Sequence, residues 1–130
     1  KMIVSKKLVE LFSFTHSIKK YLRNQDNEIK FRTILVFIAC AIKESECKSD
    51  LSFYTMPDVI KLCVNMEILP NINNQTPVYR EHKILLQEGF VERLTEKRKY
   101  TKQQYCLSIY GRTQLRRIYM YLIRDIYTPL

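Results

Sequence analysis

Residues 89–112, GFVERLTEKRKYTKQQYCLSIYGR, contain two short apolar segments separated by a polar turn with several cations. Short apolar segments that are bounded by polar and turn-forming residues are typical of β-strands. The apolar residues of the two segments are Phe90, Val91, Leu94, Tyr105, Leu107 and Ile109. The stretch therefore predicts a β-hairpin with a cationic tip, followed by a helix that begins near Gly111.

A helix is expected directly before the hairpin. Thr76 and Pro77 form a helix start, because threonine satisfies a free backbone N–H and proline fits the first turn. Gly89 ends the helix, since glycine adopts the left-handed conformation at no steric cost. We predict a helix over about 77–88. The face opposite its apolar residues carries Thr76, Tyr79, Arg80 and Lys83.

The residues before this helix predict three more helices. The first has an apolar stripe at alternating spacings of four and three, and the second, about Glu28 to Glu46, is apolar on nearly every side. The third starts at Thr55 as cap, with Pro57 in its first turn. The expected order is four helices, a hairpin and a helix, in a single domain over 1–130.

Composition points to an anionic partner. The 130 residues carry a formal charge of +9, which influences partner choice more than fold. Nucleic acid and an anionic membrane surface both satisfy such a charge. The most apolar run, residues 34–42, is too short to span a bilayer, and no apolar block at the start resembles a secretory signal. We expect a cytoplasmic protein with no membrane partner.

The sequence contains none of the local motifs of an enzyme or a metal site. Two glycines are too few for a glycine-rich phosphate loop, and neither a Gly-x-Ser-x-Gly nor a His-Glu-x-x-His motif occurs. The four cysteines have no Cys-x-x-Cys spacing and are expected to be free thiols, with Cys47 the most exposed. We expect no enzyme activity, no metal and no cofactor. His82 is expected to be a half-buried structural histidine.

A helix that ends in glycine, followed by Phe-Val-Glu-Arg, a basic turn and a second strand, resembles the winged helix-turn-helix of the multiple-antibiotic-resistance repressor (MarR) family. In that family the recognition helix ends in a Leu-x-x-x-Gly pattern, and the second wing strand leads into Leu-Thr-x-x-Gly. The matching residues here are Leu85, Gly89, Phe90, Val91, Glu92 and Arg93, then Leu107, Ser108 and Gly111, with serine in place of threonine.

The resemblance implies a mainly α fold with a small β-hairpin, a winged helix-turn-helix with N- and C-terminal dimerisation helices. Residues 1–24 and 111–127 would then be the dimerisation helices and 28–110 the DNA-binding lobe. The implied function is that of a homodimeric transcriptional regulator that binds double-stranded DNA. The family also implies a small-molecule effector that binds between the dimerisation helices and this lobe.

The physical case for DNA is that a helix fits the major groove and reads base edges with polar side chains near its N-terminus. We expect the helix at about 77–88 to do so, with Arg80 contacting a guanine and a wing at about 95–104 contacting the backbone or the minor groove. The expected DNA-binding residues are Thr76, Tyr79, Arg80, Lys83, Lys97, Arg98, Lys99 and Lys102.

Other interpretations of the same residues stay open. The cationic tip would also serve as a solvated turn that keeps the hairpin from aggregating. The last helix carries four arginines that either approach phosphates or form a solvated face. They are Arg112, Arg116, Arg117 and Arg124. The terminal helices pack on a second copy or on each other within one chain. The alternative function is a winged-helix module that binds protein or RNA.

Overall fold

The computed structural model describes residues 6–25, 29–48, 52–66, 76–94 and 103–127, without the side chains of 6–8, 11 and 122–127. Within these residues it contains five helices and three short strands, an order that confirms the predicted mainly α fold. The elements are α1 (Lys6–Arg23), α2 (Phe31–Ser45), β1 (Tyr54–Thr55), α3 (Met56–Asn65), α4 (Thr76–Gln87), β2 (Val91–Arg93), β3 (Gln104–Leu107) and α5 (Ile109–Tyr127).

The hairpin strands belong to a three-stranded antiparallel sheet in the order β1-β3-β2. Val91 pairs with Leu107 in the predicted hairpin, and β1 adds a third strand in which Tyr54 pairs with Tyr105. The sequence does not predict this strand, because two residues are too few to show a strand pattern. The strand ends where Thr55 becomes the N-cap of α3, and this start is the one predicted.

Helix α2 forms the centre of the core. Ile34, Val36, Phe37 and Cys40 are almost fully buried, because α1, α3, α4 and the sheet surround the helix. It begins at Phe31, a few residues later than predicted. Fully burying an aliphatic or aromatic side chain of this size contributes roughly 1.5 to 3 kcal/mol, so α2 supplies much of the stabilising area.

Gly89 ends α4 in the manner expected. Its φ of +77° lies in the left-handed region. The N–H of Phe90 donates to the Leu85 carbonyl at 2.9 Å, and the N–H of Gly89 donates to the Leu86 carbonyl at 3.2 Å. This is the Schellman arrangement, with a buried contact between the residue two beyond the cap and the last turn. It directs the chain from α4 straight into β2.

The junction of β3 and α5 differs from the prediction. Ile109 is not on the strand; it is the first residue of α5, which therefore begins two residues before Gly111. Ser108 caps the helix, since its Oγ accepts the Gly111 N–H at 2.8 Å while its own N–H donates to the Phe90 carbonyl. A Cβ at Gly111 would lie 1.9 Å from that carbonyl oxygen. Glycine is needed there because the helix crosses the Phe90 backbone so closely.

Helices α1 and α5 pack against each other within one chain. The buried Tyr21 hydroxyl donates to the Gln114 side chain at 2.5 Å, and the Asn24 amide donates to the Tyr121 hydroxyl at 2.9 Å. Burial raises the pKa of Tyr21 above its ordinary value, so the phenol stays protonated as the donor. Among the described helices, none combines the length and apolarity needed to cross a membrane.

Candidate nucleic-acid interface

Helix α4 has one exposed polar face and one buried apolar face. Thr76, Tyr79, Arg80 and Lys83 are all exposed, and Tyr79 keeps 49% of its surface accessible. The opposite face is anchored in the core by Val78, His82 and Leu85. The four α4 residues expected to contact DNA therefore share a surface available to a partner. This arrangement follows from the helical spacing of 76, 79, 80 and 83.

His82 is more deeply buried than the half-burial predicted, with only 3% of its surface exposed. The Tyr54 hydroxyl lies 2.8 Å from its Nε2, and the Tyr105 ring packs edge-on against the imidazole at 4.6 Å between ring centroids. Burial, and secondarily the positive charge of Arg93, lowers the pKa of His82 from 6.5 to about 4. The imidazole is therefore neutral near pH 7, and its Nε2 is hydrogen-bonded to the Tyr54 hydroxyl. This cluster attaches α4 to the sheet.

The carboxylate of Glu81 is turned toward the start of α2. The buried Thr33 hydroxyl donates to Glu81 Oε2 at 2.5 Å, and its oxygen accepts the Lys30 N–H at 3.2 Å. An acid in the middle of a DNA-contacting helix would repel phosphates, so this bond keeps negative charge away from the exposed face. The pair could not be predicted from the sequence, because Thr33 and Glu81 are 48 positions apart.

The base of the wing follows α4 directly, because only the short turn through Gly89 and Phe90 separates α4 from β2. Arg93, on β2, is exposed and adds a cation to this part of the surface. The expected wing contacts lie outside the described residues, and they are Lys97, Arg98, Lys99 and Lys102. Of the wing, the structure describes the two strands at its base, β2 and β3.

Glu44, on α2, is a buried carboxylate whose partners could not be predicted from the sequence. It is 4% exposed, and its two carboxylate oxygens bind different groups: Oε2 accepts the Leu107 N–H at 2.7 Å and Oε1 forms an ion pair with Arg112. Arg112 is therefore committed to a contact within the chain. The neighbouring Arg116 and Arg117 are exposed on α5.

An open groove of about 690 Å³ lies between α1, α2 and α5. Its walls are almost entirely apolar. The residues that line it include Phe14 of α1, Ile38 of α2 and Leu115 of α5. Tyr119 and Met120, which line the groove on α5, expose more than half of their surface. Phe12 on α1 is also exposed.

No cluster of metal ligands is evident in the part of the chain that the structure describes. The side chains of 9–10, 12–25, 29–48, 52–66, 76–94 and 103–121 include no group of three or more potential metal ligands. All four cysteines are free thiols, as predicted; Cys40, Cys63 and Cys106 are buried and Cys47 is partly exposed. Burial raises the pKa of Cys40 to about 12, which leaves it protonated and unreactive.

Comparisons with known proteins give similarity of structure only. No protein-family model matches the chain, and no curated protein sequence matches it. A crystal structure of RV1404 from Mycobacterium tuberculosis superposes with a TM-score of 0.62 at 15% identity, covering 89% of this chain. This chain spans 65% of the length of the RV1404 chain.

The crystal structure of wild-type MarR from E. coli, in its apo form, also superposes with a TM-score of 0.62 at 15% identity. The match covers 98% of this chain and 82% of the MarR chain. It extends over nearly the whole length, including the hairpin and both terminal helices. This protein therefore has the MarR-type winged-helix fold, as the Leu-x-x-x-Gly and Leu-Ser-x-x-Gly patterns predicted.

Proposed function

We propose that this protein is a homodimeric, cytoplasmic transcriptional regulator that binds specific double-stranded DNA through α4 and the wing. The observation that carries the proposal is the exposed face of α4. Polar and cationic side chains lie along it at helical spacing, while the opposite face is fixed in the core. A helix presented in this way has the dimensions and the chemistry to enter a major groove.

Each residue of this face has a defined part in the proposal. Arg80 is long and planar enough to donate two hydrogen bonds to a guanine, a contact worth roughly 1 to 3 kcal/mol of discrimination. Thr76 and Tyr79, in the first turn of α4, bind base edges or phosphates, and Lys83 binds the backbone. Lys97, Arg98, Lys99 and Lys102 contact phosphates or the minor groove from the wing.

The net charge of +9 supports the same partner, because cations that displace counterions from DNA supply sequence-independent affinity. Apolar side chains exposed on α1 and α5 support the dimer, since a second copy would cover them. Two copies related by a two-fold axis would bind half-sites about 34 Å apart, so the expected operator is palindromic. The apolar groove is where a small-molecule effector would bind.

The test is a titration of duplex DNA at several salt concentrations, with operators first selected from a random pool. Arg80→Ala is expected to cost about 1 to 3 kcal/mol on the selected duplex and much less on unrelated DNA. The triple variant K97A/R98A/K99A is expected to weaken binding to both duplexes and to give a shallower salt dependence. Lys61→Ala, an exposed cation on α3, is the control for loss of charge alone.

The alternative is a winged-helix module that binds protein or RNA through the same surface. If the wild type binds no duplex at low salt, the DNA proposal is wrong and this alternative takes its place. A pull-down that depends on Arg80 and Lys83, but in which DNA does not compete, would identify the partner as protein. Competition by structured RNA alone would indicate an RNA partner.

A further inference from the structure

The edge of β3 that faces β1 is only partly paired. Leu94 donates to the Gln104 carbonyl and Ser108 donates to the Phe90 carbonyl, so even-numbered positions of this strand bond toward β2. Hydrogen bonding alternates along an antiparallel strand, so Tyr105 and Leu107 bond toward the other edge. Strand β1 reaches only as far as the pair of Tyr54 and Tyr105. The Leu107 N–H therefore has no strand partner.

Glu44 supplies the missing acceptor. Its Oε2 takes the Leu107 N–H at 2.7 Å, and the bond is buried. A charged acceptor makes a shorter and stronger hydrogen bond than a backbone carbonyl does. Its other oxygen binds Arg112, one turn into α5. One α2 side chain thus attaches both the end of β3 and the start of α5 to the helix at the centre of the core.

The buried carboxylate of Glu44 determines the geometry of the junction more than it adds to the free energy of unfolding. A buried carboxylate pays a desolvation penalty that its partners offset only in part, so it adds little to stability compared with apolar packing. What the carboxylate adds is direction, because its two hydrogen bonds allow one position of the β3–α5 junction relative to α2. Helix α2 also contacts α4 through the hydrogen bond between Thr33 and Glu81. One helix is therefore bonded both to α4, which has the exposed polar face, and to the strand at the base of the wing.

We propose that Glu44 is a positioning residue for DNA binding, which holds β3 and the start of α5 so that the wing and α4 meet the duplex together. The inference rests on the proposed DNA-binding function and extends it to a residue that does not touch DNA. Arg112 acts with Glu44, and its guanidinium serves the junction instead of a phosphate.

The sign of the effect separates positioning from simple electrostatics. Glu44→Ala removes a negative charge, and charge alone would strengthen binding to DNA. Positioning predicts the opposite, a loss of affinity on the order of tenfold. It also predicts that the slope of log affinity against log salt concentration becomes shallower by about one per protomer. This is the change expected when one phosphate contact is lost. Lower stability alone reduces the active fraction but leaves that slope unchanged.

The experiment compares E44A, E44Q and E46A with the wild type. Glu46 lies two residues further along, is exposed and pairs with Lys43 at 3.0 Å, so its removal matches the change in charge without touching the junction. The measurements are DNA affinity against salt and the amide hydrogen exchange of Leu107. E44Q keeps an acceptor for that N–H and folds if E44A does not.

In E44A the Leu107 amide should exchange about tenfold faster or more, since it loses a bond to a charged group. E44Q should fall between E44A and the wild type in both measurements, and E46A should match the wild type. If E44A and E44Q exchange faster at Leu107 but bind DNA like E46A, Glu44 is structural and the proposal is wrong. If the wild type binds no duplex, the proposed DNA-binding function is wrong. Independently of that result, unchanged amide exchange at Leu107 in E44A would show that Glu44 does not hold the β3–α5 junction.

Discussion

The buried imidazole of His82 makes the stability of this protein depend on pH in a window set by one residue. The pKa of His82 is about 4 in the folded protein, against 6.5 for an ordinary histidine. Because the folded pKa is the lower one, the unfolded chain binds the proton more tightly. Stability is fully present above pH 6.5 and is lost as the pH falls from 6.5 toward 4.

The magnitude follows from the two pKa values. Each unit is worth about 1.4 kcal/mol, so the whole window corresponds to about 3 kcal/mol. Between pH 7.5 and 4.5 His82 should remove about 2.5 kcal/mol of unfolding free energy, a large part of the roughly 5 to 15 kcal/mol typical of a domain.

The assay is urea denaturation of the wild type and His82→Gln at the two pH values. Glutamine places a neutral acceptor near the position of Nε2, so the variant loses the titration and keeps the bond to Tyr54. His82→Gln should lose about 2.5 kcal/mol less than the wild type between pH 7.5 and 4.5. An equal loss in H82Q and the wild type would refute the reasoning.

The remaining predictions concern the two glycines and the thiols. Gly111→Ala should cost about 2 kcal/mol or more in urea denaturation, because its Cβ would collide with the Phe90 carbonyl. Gly89→Ala should cost about 1 kcal/mol, because open space surrounds this position and only the positive φ is unfavourable; equal losses in the two variants would contradict the distinction. In the native protein a thiol reagent should modify Cys47 first, which gives a fast phase in the labelling reaction. Cys47→Ser should abolish this phase. If the fast phase remains in C47S, one of the buried thiols reacts instead. The slow thiols are Cys40, Cys63 and Cys106.

The position of α4 could be predicted because its limits are local. Thr76 and Pro77 begin a helix and Gly89 ends one through backbone preferences that act within a few residues. The exposed face followed from the helical period alone. The corresponding features of the structure agree with the sequence to within one residue.

Features that depend on distant residues could not be predicted. Glu44 and Arg112 are 68 positions apart, and neither has a neighbour that indicates a buried pair. Strand β1 exists because β3 offers an edge to pair with, which a two-residue segment does not reveal. Ile109 fits the alternation of β3, but the Ser108 cap places it in α5, where 87% of its surface is exposed. Tertiary contacts overruled the local pattern at each of these positions.

The hydrogen bond between Tyr21 and Gln114 also bears on the order in which the chain folds. The two residues are 93 positions apart, so a chain emerging from the ribosome makes α1 long before it makes the helix that buries Tyr21. Contacts of such sequence separation form late, because the intervening loop must first be closed. Until then the apolar face of α1 is exposed, and a chain stalled before α5 is prone to aggregation. Folding of this domain is therefore completed when α1 and α5 pack together.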